Sequence, residues 1–259
     1  SLILSSKQIL VSEKYLIDAD FVKDIPSLIV FNVSNTSPPF KKGSRVLSSI
    51  HEKSGKKFNN WKKIISINDS NSNFFNFLDY NSFEEDKGSQ YWGVWASEEK
   101  FKKTTLIALN FPIWKFRVQW EKVNNDPNFI EANSKERKQQ WLEHNYSILY
   151  RIVLSAIDAY LNFKMPKSSS ILFADIGGGQ FPRIHELNTV RIKVLAESIA
   201  AWLTNTNKLD QVIISCGATT GVNPTDIMSA WSKQIGDLKG TEEEYGEALI
   251  PASTQEPEE

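Results

Sequence analysis

Ser170-Ile-Leu-Phe-Ala-Asp-Ile-Gly-Gly-Gly-Gln-Phe-Pro182 contains the turn on which the fold depends. Ser170 to Ile176, with the apolar residues Ile171 to Ala174 at its centre, predicts a strand. Directly behind it, Gly177, Gly178 and Gly179 let the backbone turn sharply and approach a neighbour with no Cβ in the way. From Ile184 the apolar residues recur at helical spacing, with Leu187, Val190, Val194 and Trp202 on one stripe. Strand, glycine turn and helix in that order are the repeating unit of an α/β domain.

Outward from that turn the same alternation continues. Gln211-Val-Ile-Ile-Ser215 predicts another buried strand, followed by a helix from Pro224 to about Ile235. Upstream, a helix over 134–163 carries Trp141, Ile148, Ile152, Ala156 and Tyr160 along one stripe, with Ser134 as its cap. Two β-rich runs precede it, Thr104–Asn110 and Ile113–Trp120; in the second, Trp114, Phe116, Val118 and Trp120 alternate with Lys115, Arg117 and Gln119. Leu28-Ile-Val-Phe-Asn32 is a strand bounded by Pro26 and by the Ser/Asn/Pro cluster 34–39. Val46, Leu47, Ile50 and Phe58 predict a helix from Ser44 to near Trp61. Residues 67–90 show no sustained period and predict an irregular insertion reaching to about residue 100. The expected architecture is a three-layer α/β/α sandwich with a mixed, largely parallel sheet over residues 1–239. Residues 240–259 hold seven glutamates and no basic residue, the composition of a disordered acidic tail.

Composition removes several function classes. The chain has 259 residues and 41% hydrophobic content, enough for one independent core. A single cysteine, Cys216, excludes an internal disulfide framework, and three histidines offer no zinc cluster, so no metal is expected. That cysteine usage implies a reducing, cytoplasmic compartment. With a formal charge of -1 and lysines spread among acids, nucleic acid is not an expected partner. No apolar stretch approaches the ~20 residues of a membrane span, so no membrane partner is expected either.

The glycine triplet can serve phosphate, because its amides and the start of the next helix form a concave donor site. A tight turn that needs glycine only for its dihedrals is the plainer alternative. Known phosphate patterns fit poorly. A dinucleotide fingerprint needs a third glycine where Pro182 stands. A methyltransferase-like start needs further βα units than the remaining chain supplies. The actin-like Asp-x-Gly-Gly-Gly loop turns into a strand, whereas Ile184 to Leu203 has helical period. A phosphate-binding Gly-Lys-Ser/Thr is absent.

Several segments together resemble the macrodomain family. Pro26-Ser-Leu-Ile-Val-Phe-Asn-Val-Ser-Asn35 is similar to that family's strand ending in Asn-Ala-Ala-Asn, and Gly43-Ser-Arg-Val-Leu-Ser-Ser-Ile-His51 to its Gly-Gly-Gly-Val-x-x-Ala-Ile-His. Ala19-Asp20-Phe21 stands at the spacing of its Gly-Asp-Ile, and Ile176-Gly-Gly-Gly-Gln-Phe181 is similar to its Ile-Ser-Thr-Gly-Ile-Phe loop. The resemblance covers about residues 8–238. It implies binding of ADP-ribose or an ADP-ribosylated protein, with no cofactor. On it, Asp20 would accept a hydrogen bond from the adenine amino group and Phe21 would line the adenine slot. Gly177, Gly178, Gly179, Gln180 and Phe181 would cradle the diphosphate, with Gly43, Ser44, Arg45 and Val46 closing over the other side. Asn32 joins the binding set, and Asn35 would face the distal ribose.

Departures from the family pattern bear on chemistry. The first loop keeps one glycine, Gly43, and gains Pro38-Pro39-Phe40-Lys41-Lys42, whose lysines offer charge to a diphosphate. After Val46, where one hydrolase branch carries an aspartate, stands Leu47. Hydrolysis of the ADP-ribose–protein link would therefore fall to Asn35 as orienting group and Asp175 as base, with Glu84, Glu85 and Asp86 of the insertion as further acids. The alternatives are a non-catalytic reader of ADP-ribosylated proteins and a protein-interaction domain using the aromatics Phe74, Phe75, Phe77, Tyr80, Tyr91, Trp92 and Trp95. Asp20 as a turn residue, Asp175 as a buried cap, Asn32 and Asn35 as strand-end groups and His51 as a helix-face histidine are the structural alternatives.

Overall fold

The computed structural model describes residues 9–12, 26–34, 37–40, 45–66, 89–111, 121, 124–126, 134–164, 169–174, 185–205, 209–215 and 224–245. In chain order its elements are β1 (Ile9–Ser12), β2 (Ser27–Ser34), α1 (Arg45–Ser54), β3 (Trp61–Ser66), β4 (Gly93–Phe101), β5 (Thr104–Phe111), α2 (Ser134–Lys164), β6 (Ser169–Ala174), α3 (His185–Asn205), β7 (Leu209–Ser215) and α4 (Pro224–Tyr245). The strands form one sheet in the order β1-β7-β6-β2-β5-β4-β3. Pairing is parallel from β1 through β5, while β4 runs antiparallel to both β5 and β3. This is the mixed, largely parallel α/β architecture expected from the sequence.

Alternation along the central strands divides the core in two. Leu28 and Val30 of β2, Ile107 and Leu109 of β5, and Ile171 and Phe173 of β6 face α2, α3 and α4. Ile29, Phe31 and Val33 of β2, Leu106 and Ala108 of β5, and Leu172 and Ala174 of β6 face the other way, onto Val46, Leu47 and Ile50 of α1. Strands covered on both faces cannot show polar alternation, which is why they read as continuous apolar runs. The helices supply the two outer layers.

Boundaries moved where local chemistry overrides periodicity. α1 stops at Ser54, short of Trp61, because Gly55 takes a left-handed φ of 66° and its N–H donates to the His51 carbonyl at 3.1 Å. That is an αL cap, which satisfies a carbonyl the helix leaves open. Trp61 instead opens β3. The stretch up to residue 100, expected to be irregular, contains β4, and its Trp92 is fully buried. β1 and β3 also form without having been expected. The last helix continues ten residues past Ile235, to Tyr245, and so takes in residues 240–245 of the acidic stretch. The run Ile113–Trp120 lies outside the described residues.

Candidate functional site

β2 and β6 are neighbours and run parallel, with Val30 opposite Phe173. The chain leaving β2 reaches α1 on one face of the sheet, whereas the chain leaving β6 reaches α3 on the other. Adjacent parallel strands whose onward connections depart to opposite faces form a topological switch point, the place outside the C-terminal strand ends where open α/β sheets bind ligands. At this edge β2 extends beyond β6. Asn32, Val33 and Ser34 stay paired with Leu109, Asn110 and Phe111 of β5 on one side and pass the end of β6 on the other.

Asn32 is the sequence-selected binding residue that lies in this step. It is half-buried, and its carboxamide Oδ1 is shielded from solvent with no hydrogen-bond partner among the described residues. A buried acceptor left unpaired costs about 1–3 kcal/mol. Beside it, Asn110 donates from Nδ2 to the Tyr91 carbonyl at 2.9 Å and so ties the end of β5 to the turn at Ser89–Tyr91.

The segment between β2 and α1 is pinned from below. Phe40 holds a left-handed φ of 65°, unusual for a bulky residue, and its ring is fully buried. The ring packs edge-on against Trp61 and Trp95 at centroid distances of 5.3 and 5.7 Å. Its N–H donates to the Ser37 carbonyl at 2.9 Å. The adjacent Lys63 ammonium sits 5.2 Å from the centre of the Trp95 ring and donates to the Gln90 carbonyl at 2.7 Å, while burial pushes its pKa below the usual lysine value. Trp92 and Trp95 therefore pack the core; Phe74, Phe75, Phe77 and Tyr80 lie outside the described residues.

Of the remaining selected residues, Arg45 opens α1, and Val46 behind it is buried on the α1 face. Leu47 is 1% exposed and packs in the same cluster. Asp20, Phe21, Asn35, Gly43, Ser44, Asp175, Gly177, Gly178, Gly179, Gln180 and Phe181 lie outside the described residues, as do Glu84, Glu85 and Asp86. His51 is in the last turn of α1, away from the switch point. It stacks on Phe58 at 5.7 Å and accepts the Phe58 N–H through Nε2 at 3.4 Å, the helix-face role.

Sequence reasoning missed Arg191. It lies in the second turn of α3, has no exposed surface, and donates to Asn188 Oδ1 from Nε at 3.4 Å and Nη2 at 3.2 Å. A guanidinium so deep is a fixed positive charge in the helix that receives the chain from β6. Its signal was hidden because arginine ordinarily marks a solvent-facing position. Elsewhere, α2 and α3 border a groove of about 320 Å³ lined by Arg151, Asp158, Ser198 and Trp202. Next to it Lys193 pairs with Glu143 at 3.1 Å. Burial works to raise the Glu143 pKa, but the Gln139 and Lys193 contacts outweigh it and hold it below the usual value. Among the described residues no three His, Cys, Asp or Glu side chains converge as a metal site would require, and no helix is long and apolar enough to cross a membrane.

No protein-family model matches the sequence, and no curated protein matches it. Among solved structures, a mutant of the Oceanobacillus iheyensis macrodomain is similar with a TM-score of 0.40 and 16% identity, over 90% of this chain and 92% of that chain.

Proposed function

We propose that the chain recognises ADP-ribose, free or carried on a protein, in the crevice outside the C-terminal ends of β2 and β6. The observation that carries this is the switch point: the two segments whose motifs resemble macrodomain loops, 35–44 and 175–184, start from neighbouring parallel strand ends and leave toward opposite faces. A diphosphate between them would meet amides of the Gly177–Phe181 segment and of the α1 start at Gly43 to Val46. Val46, its side chain committed to the core, would take part through its backbone. Asn32 would offer its Oδ1, which has no partner among the described residues, to a ligand hydroxyl, and Asp20 and Phe21 would serve the adenine. Calorimetric titration of the protein with ADP-ribose tests this; saturable binding is expected, and none at millimolar ligand sinks it.

Leu47 bears on whether the site is a reader or a hydrolase. At the position where one hydrolase branch carries an aspartate, this chain buries a leucine, which favours the reader. Hydrolysis would need a water held by Asn35, with Asp175 taking its proton. The water oxygen would bond to the anomeric carbon as the link to the side chain breaks, and the departing side chain would take up a proton. Mass spectrometry of free ADP-ribose released from Arg-, Asp/Glu- and Ser-linked substrates separates the two, and a reader releases none. If release occurs, Asn35→Ala should lower the rate on the order of 10²-fold with little change in affinity.

A further inference from the structure

The lysines are dispersed along the sequence, yet the fold gathers six of them at one edge of the sheet. Lys53 is in the last turn of α1, Lys56 and Lys57 follow its Gly55 cap, and Lys100, Lys102 and Lys103 surround the β4–β5 turn; all six are exposed. The two groups touch, since the Lys56 ammonium donates to the Lys100 carbonyl at 2.8 Å and the Glu98 N–H to the Asn60 carbonyl at 2.9 Å. Among the described residues the nearby acids are Glu52, Glu98 and Glu99. The Glu99 carboxylate is already engaged by Asn60 Nδ2 at 2.8 Å and by the Asn59 and Asn60 amides. Among the described residues, six cations against three acids leave a local excess of three, in a chain whose formal net charge is -1. The opposite excess is concentrated in residues 240–259, with seven glutamates and no basic residue.

We propose that this lysine edge is the docking surface for the chain's own acidic segment 246–259, with Glu247, Glu256, Glu258 and Glu259 facing the ammonium groups. Topology brings the two to the same edge. α4 follows β7, packs on the sheet through Ile227, Trp231 and Ile235, and so returns toward the strands' N-terminal ends. The turn bearing Lys102 and Lys103 lies at those ends, where Ser27 N–H at the start of β2 donates to the Lys103 carbonyl at 3.3 Å. At 22 residues α4 is ~33 Å long, against ~23 Å for the seven residues of β7, so its last turns pass beyond the sheet. From β7 to β5 is three strand spacings, ~14 Å, while the fourteen residues after Tyr245 span up to ~46 Å when extended. Docking of this kind is electrostatic and fades when salt shortens the screening length.

The test is zero-length carbodiimide cross-linking of the full chain at low concentration, in an equal mixture of light and isotope-labelled protein, read by peptide mass spectrometry. The expected result is links from the tail glutamates to Lys56, Lys57, Lys100, Lys102 or Lys103 within one copy, reduced about fivefold or more at ~0.5 M salt. Exposed Lys135, at the far end of α2, supplies the background. The double variant Lys100→Glu with Lys102→Glu, its melting temperature checked first, should also lose the links to Lys56 and Lys57. Links no more frequent than to Lys135, links only between light and labelled copies, or links that persist in the folded double variant each overturn the proposal. So does a fluorescent single-stranded RNA that binds the wild-type edge, is lost in the double variant and leaves the tail unlinked, which would assign the lysines to nucleic acid.

Discussion

Arg191 carries a charge into a site without solvent exposure, and its hydrogen bonds to Asn188 bind two positions of the first turns of α3 together. A guanidinium reaches the carboxamide through two nitrogens of one rigid plane, which an ammonium cannot copy. Arg191→Met should therefore cost on the order of 3 kcal/mol, and Arg191→Lys should recover little of it. Urea denaturation of both variants checks this, and a loss below about 1 kcal/mol in Arg191→Met would show that the buried charge holds nothing in place. Asn32 is the contrasting residue. Its Oδ1 is spared any partner among the described residues, so Asn32→Leu should be neutral or slightly stabilising while it weakens ADP-ribose binding on the site proposed above. An unchanged dissociation constant would return Asn32 to the strand.

At the level of elements, what was legible followed from burial. β2, β5, β6 and β7 are covered on both faces and show as apolar runs, and α2 was readable almost to the residue because its stripe spans many turns. β4 was hidden by its second half, Ser97-Glu98-Glu99-Lys100, whose polarity masks the pleat. There the register with β5 shifts between Ala96 and Lys100, and the Ser97 hydroxyl accepts the Leu106 N–H at 2.9 Å, so a side chain replaces the missing ladder bond. No hydrophobic pattern announces such a bulge. Of the selected binding residues, Asn32 alone could be followed from motif to described geometry as a polar side chain: Val46 is committed to the core, Arg45 is placed only as the first residue of α1, and the others fall outside the described residues.

The same strand junction predicts a pH response. Partial burial works to raise the Glu99 pKa, but its own amide and those of Asn60 and Asn59, with the Asn60 carboxamide, bring it below the usual glutamate value. A depressed carboxylate contributes stability above its unfolded pKa and loses that contribution as pH falls through the folded one. Acidification below the ordinary carboxylate range should therefore release the Asn59 and Asn60 amides before the sheet unfolds. Their ¹⁵N–¹H shifts should titrate together with a midpoint under that of a free glutamate. Midpoints at or above it would show that the caps do not bind the charged form.

Across the whole molecule, the two ends of the sheet are specialised differently. The N-terminal ends of the strands gather lysines around the β4–β5 turn, and the C-terminal ends hold the switch point between β2 and β6. The apolar core lies between, in two clusters built from strands and helices. The recognition proposed at the C-terminal ends would thereby be separate from the packing that holds the fold. Gly178 stands in the middle of the glycine triplet that follows β6, where the proposed diphosphate contact needs close backbone approach. Gly178→Val should abolish ADP-ribose binding in calorimetry. If the triplet serves close ligand approach alone, stability should change by about 0.5 kcal/mol or less, a shift of roughly 2 °C in Tm. Both readouts are needed from one preparation. A folded variant that still binds with wild-type affinity would remove the triplet from the site, whereas joint loss of binding and of several degrees in Tm would mean that the glycines serve the turn alone.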